Sequence, residues 1–91
     1  MPIRVEFYGI VRLRAGAPGC ELDNAAECAC LGELLQRLEQ RFPTLARECL
    51  HNGRLCAGYL ANLDGRTFVT DPATPLVPGQ AVLILSSDAG G

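Results

Sequence analysis

No lysine occurs anywhere in this chain; all eight basic residues are arginines. Coding bias is the simplest origin, but the absence also removes every side-chain amine that an activated carboxyl group could acylate. Positive charge is not in excess either. Ten acidic residues against eight basic ones give a formal charge of −2, so there is no basic stripe for a nucleic-acid backbone. No apolar run approaches the roughly 18 residues of a membrane-spanning helix. Met1-Pro2-Ile3-Arg4 lacks the apolar core of a signal peptide, so a cytoplasmic location with no membrane attachment is expected.

Paired metal-binding motifs are missing as well. The five cysteines, Cys20, Cys28, Cys30, Cys49 and Cys56, contain one C-x-C and no C-x2-C, which argues against a zinc site. They also lack the C-x4-C-x2-C spacing of a plant-type iron–sulfur domain. An odd count leaves one cysteine over under any disulfide scheme, and without an export signal reduced thiols are expected. Gly53, Gly58, Gly65 and Gly79 form neither G-x-G-x-x-G nor a P-loop, so the chain is not expected to bind a nucleotide itself. His51 has no serine or cysteine that the sequence places beside it and reads as a surface histidine. Cys30, at the start of a helical segment, reads as structural.

Ninety-one residues make one domain, 1–91, of a size that buries roughly 60–65% of its unfolded-chain surface. Ile3, Val5 and Phe7 alternate with Arg4, Glu6 and Tyr8, the mark of a half-buried strand with its odd positions inward and Tyr8 outward. Ala15-Gly16-Ala17-Pro18-Gly19 makes Arg12 to Gly19 a turn region, and Cys20 to Asn24 reads as a second strand closing a hairpin. Leu31, Leu34, Leu35, Leu38 and Phe42 recur at helical spacing. Cys30 and Glu33 stand in capping-box positions, and Pro43 stops this helix at Phe42.

After a short helical turn over Leu45 to His51, Asn52-Gly53 signals a turn. Leu55 to Leu63 then reads as a third strand, Asp64-Gly65 as a break, Arg66 to Thr70 as a fourth strand and Ala81 to Leu85 as the last. The order is ββαβββ-like. It predicts an α+β layer fold, a mixed four- to five-stranded sheet with one main helix on one face. If Val82 and Ile84 face that helix, Leu83 and Leu85 must join Tyr8 on the uncovered face, where they would form a partner-docking surface.

The last strand leads into Ser86-Ser87-Asp88-Ala89-Gly90-Gly91. Glycine lacks Cβ, so Gly90-Gly91 can enter a channel too narrow for side chains, with Gly91 presenting a carboxylate on a thin arm, 86–91. A carboxyl of pKa about 3.5 is an anion at neutral pH and a poor electrophile, so it needs activation before it can react.

Together these residues resemble the ubiquitin-like sulfur carriers of the MoaD and ThiS type, small β-grasp proteins ending in Gly-Gly. Phe7-Tyr8-Gly9 with Arg12-Leu13-Arg14-Ala15-Gly16 is similar to the family's first strand and arginine-containing turn. Leu31 to Phe42-Pro43 is similar to its helix. Asn62 occupies the place of an asparagine after the third strand, and Leu76-Val77-Pro78-Gly79 with Val82 to Leu85 is similar to the approach to the tail. The chain departs from the pattern at Gly79-Gln80, where Gly-Asp is common, and at Ser86-Ser87, where prolines are common; serines give a looser arm.

The resemblance implies a carrier rather than an enzyme, at most the non-catalytic small subunit of a sulfurtransferase such as molybdopterin synthase. An E1-like adenylyltransferase would use ATP to adenylate Gly91, and a persulfide sulfur would then displace AMP to leave a thiocarboxylate. A sulfur-accepting enzyme, such as the molybdopterin synthase large subunit, would take the sulfur for molybdenum cofactor synthesis. Thiazole, cysteine or tRNA thiolation are the alternative destinations. No bound cofactor or metal is implied. Two rival readings use the same fold: a protein modifier joined to target lysines through Gly91, and an interaction module with an inert tail.

Overall fold

A computed structural model of the chain describes residues 2–23 and 28–87. Chain order is β1 (Ile3–Phe7), α1 (Gly9–Ala15), β2 (Gly19–Leu22), α2 (Leu31–Arg41), α3 (Pro43–Cys49), β3 (Leu50–His51), β4 (Arg54–Leu55), β5 (Tyr59–Leu63), β6 (Thr67–Val69) and β7 (Ala81–Ser86). Five strands form one mixed sheet in the order β2-β1-β7-β5-β6. The central pair, β1 and β7, is parallel, and every other pair is antiparallel. Strands β3 and β4 make a separate small hairpin.

The period-2 pattern of β1 holds: Ile3, Val5 and Phe7 are buried, while Tyr8 just beyond the strand is exposed. The same alternation buries Val82 and Ile84 on β7. Helix α2 buries Leu31, Leu34, Leu35 and Leu38 along one stripe. Phe42, just past it, meets Phe7 edge-on with ring centroids 5.2 Å apart. Pro43 both ends α2 and begins α3, because its fixed φ suits a first helical position where no N–H is needed.

Several expectations are corrected. The region Arg12 to Gly19 is not all turn. Residues Gly9–Ala15 form α1, which buries only Val11, places Arg12 and Arg14 in its last turn and is capped by the Gly16 N–H donating to the Arg12 carbonyl at 3.0 Å. Cations near a helix C-terminus are favourable, but one buried apolar residue gives no periodicity to read. Among the described residues, three helices cover the sheet, with α2 the longest.

The turn expected over Leu45 to His51 is α3 followed by β3, and the strand expected over Leu55 to Leu63 divides at Cys56-Ala57-Gly58, where Gly58 has φ +92°. The strand expected over Arg66 to Thr70 is shortened to β6. The capping box is half formed. Cys30 sits at the N-cap with no side-chain bond, and Glu33 Oε1 accepts from the Ala29 N–H at 2.9 Å. The first helical donors go instead to the 71–76 loop: Leu31 N–H to Thr74 O and Gly32 N–H to Pro72 O, both 2.9 Å. Among the described residues, no helix is long and apolar enough to cross a membrane.

Candidate functional site

All three helices pack on one sheet face, and the other face carries the candidate site. Register places Glu6 beside Leu83, Leu83 beside Asn62 and Asn62 beside Phe68, a row across β1, β7, β5 and β6. Tyr8, Asn62, Gly65, Phe68, Leu83 and Leu85 line a shallow groove of about 310 Å³. The three residues expected to bind a partner, Tyr8, Leu83 and Leu85, are thus brought together.

Phe68, 60% exposed, is a fourth apolar member that sequence reading missed. Its signal lay in the Thr67-Phe68-Val69 alternation, which is too short to reveal which face it serves. An exposed phenylalanine beside leucines is apolar area left in water.

Asn62 lies at the floor of the groove, 6% exposed and flanked by Leu83 and Phe68. Its Oδ1 is buried without a hydrogen-bond partner, and an unmet buried acceptor costs about 1–3 kcal/mol. On one side of the groove, the Tyr8 hydroxyl donates to Glu6 Oε1, while the Arg4 Nε–H donates to Glu6 Oε2 at 3.0 Å. The Tyr8 bond, followed by that from Arg4, holds the Glu6 carboxyl below its ordinary range, and Glu6 in turn pushes the Tyr8 hydroxyl up. The groove thus has an apolar body, an unpaired acceptor buried beneath its floor and a fixed anion at its rim.

The carboxyl end of β7 lies at this site. The Tyr8 N–H donates to Ile84 O at 3.1 Å, Ser86 pairs with Tyr59, and the Ser87 N–H donates to Gly58 O at 2.8 Å. Gly90 and Gly91 lie outside the described residues. His51 is exposed on the β3–β4 hairpin, with Nε2 3.3 Å from Asn52 Nδ2, away from the groove. Cys30 is half-buried at the start of α2. Among the described residues, no cluster of three or more His, Cys, Asp or Glu side chains could hold a metal ion.

No protein-family model and no curated protein matches the chain. Solved structures do. SAMP1 from Haloferax volcanii superimposes with a TM-score of 0.78 at 17% identity, covering 100% of both chains. The fold is the ubiquitin-like β-grasp. A Pyrococcus furiosus protein assigned as molybdopterin converting factor subunit 1 shares this β-grasp with a TM-score of 0.74 at 18% identity, covering 94% of this chain and 97% of its own. Urm1 from Trypanosoma brucei gives 0.66 at 22% identity, covering 99% and 95%. In this β-grasp the groove lies on the sheet face opposite the helices.

Proposed function

We propose that this chain is a ubiquitin-like carrier that docks through the open sheet face and presents Gly91 for ATP-dependent activation by an E1-like adenylyltransferase. The observation that carries the reading is the position of the apolar groove at the root of the strand leading to Gly90-Gly91. A body held at the groove keeps the terminus within a short tether of the partner's reacting centre, which raises its effective concentration. The chain supplies recognition and delivery, and its partners supply the chemistry. Tyr8, Phe68, Leu83 and Leu85 provide the contact area. Gly90 lets the end enter a narrow site.

On this reading Gly91 becomes an acyl adenylate, and a persulfide sulfur displaces AMP to leave a thiocarboxylate. That sulfur passes to an accepting enzyme of cofactor synthesis in the cytoplasm. The assignment of the Pyrococcus neighbour as a molybdopterin converting factor subunit favours the molybdopterin pathway; thiazole, cysteine and tRNA thiolation use the same terminal chemistry. A protein-modifier role is supported by the neighbour named small archaeal modifier protein 1.

Incubation with an E1-like enzyme, ATP and a sulfur source, followed by intact mass measurement, tests the proposal. A carrier exchanges one terminal oxygen for sulfur, whereas a modifier gives ladders on other proteins. Removal of Gly91 should abolish either product. An unchanged mass together with unmodified proteins, or equal cellular function without Gly90-Gly91, would leave the inert-tail reading standing.

A further inference from the structure

Two cysteines outside the groove are brought face to face by the small hairpin. The pairing of His51 with Arg54 and Leu50 with Leu55 extends one step outward to Cys49 and Cys56, and the Cys56 N–H donates to the Cys49 carbonyl at 2.8 Å. Residues facing each other across antiparallel strands have Cα atoms roughly 4.5–5.5 Å apart, and this single bond carries the β3–β4 ladder into the last residue of α3. That separation falls inside the roughly 4.4–6.8 Å that a disulfide spans. The opposition is fixed by Asn52-Gly53, a two-residue turn with φ values of +50° and +73° that leaves no slack in the register.

The two thiols differ in access. Cys49 is fully buried at the end of α3, and Cys56 is half-buried beyond β4. Tyr59 touches both, through a side-chain hydrogen bond to Cys49 and through its N–H to the Cys56 carbonyl at 3.2 Å. Burial, ahead of every other cause, pushes the Cys49 thiol up, so it stays protonated at neutral pH and is a poor first attacker. The other cysteines are placed elsewhere: Cys20 on β2, and Cys28 and Cys30 in the segment before α2.

We propose that Cys49 and Cys56 form a reversible thiol–disulfide site that closes on reaction with a low-molecular-weight disulfide of the glutathione type. The Cys56 thiolate attacks one sulfur of the small disulfide, making a mixed disulfide and releasing one thiol. Cys49 then gives up its proton and attacks the Cys56 sulfur, and the second small thiol leaves. The protein loses two hydrogens and two electrons, and the small disulfide is reduced to two thiols.

The test uses the full chain with glutathione disulfide, quenched with iodoacetamide and read by intact mass and peptide mapping. Trypsin cleaves after Arg47, Arg54 and Arg66, which places each of the two cysteines on its own peptide. The expected result is a chain carrying three carbamidomethyl groups where the reduced chain, alkylated after unfolding, carries five, with two hydrogens lost to one cross-link joining the Cys49 and Cys56 peptides, and reversal by dithiothreitol. Cys49→Ala should stop at a single glutathione adduct on Cys56, and Cys56→Ser should leave Cys49 unreacted. Should Cys49→Ala fail to fold, the cross-link map of the unaltered chain decides alone. A bridge between any other cysteines, a persistent glutathione adduct in the unaltered chain, or no reaction overturns the proposal.

Discussion

Among the described residues, Asn62 carries a buried side-chain oxygen with no hydrogen-bond partner, so Asn62→Leu should raise the stability of the isolated domain by about 1–3 kcal/mol, read from thermal or urea unfolding. Glu6 gives a second test at this scale. Its folded-state carboxyl titrates below the ordinary glutamate range because the Tyr8 hydroxyl, and after it Arg4, bond the charged form. The stabilisation is therefore complete above the unfolded glutamate pKa and is lost as pH falls through the lower folded value. In Tyr8→Phe the Glu6 midpoint, followed by carboxyl chemical shift, should move up toward the ordinary value.

At the scale of elements, α1 depends on one anchor. Val11 is fully buried while Leu13 is 76% exposed, so Val11→Ala should cost on the order of 2 kcal/mol, seen as a lower urea midpoint with an unchanged slope. Close approach sets another limit in β2. A Cβ on Gly19 would lie 2.2 Å from the Val5 carbonyl oxygen, so Gly19→Ala should disrupt the β1–β2 pair and lower the melting temperature.

These elements also show where local reading succeeds. The stripe Leu31, Leu34, Leu35, Leu38 and the alternation Ile3, Val5, Phe7 are repeats of a single element's own geometry, and both stand as read. Helix α1 and the separation of β4 from β5 carry no such repeat. The first has one inward residue, and the second is set by Gly58 and by the pairing of Tyr59 with Ser86.

For the molecule as a whole, the proposed function gives the two sheet faces different tasks. The helix-covered face holds the core, and on that proposal the open face makes the contact with the partner. Phe68→Ser should therefore leave folding within about 0.5–1 kcal/mol of the unaltered chain. Loss of a central aromatic contact is worth at least about 2 kcal/mol, roughly 30-fold in affinity for the activating partner. Titration calorimetry against that enzyme, paired with a melting curve, separates the two effects. An affinity unchanged by both Phe68→Ser and Leu85→Ala would remove the open face from the docking account.

The sequence alone determined the parts of this protein that are local: the alternation that turns Ile3, Val5 and Phe7 inward, the stripe that makes α2, the stop at Pro43, the turn at Asn52-Gly53 and the glycine pair at positions 90 and 91. Tertiary structure decided which strands are neighbours. Only the parallel pairing of β1 with β7, with β5 and β6 beyond, sets Glu6, Leu83, Asn62 and Phe68 in one row. It also closes Asn62 off from water. Periodicity records which way a side chain points from its own backbone, but the partner across a sheet is chosen by the burial of all the elements together, and that information is not contained in any one segment.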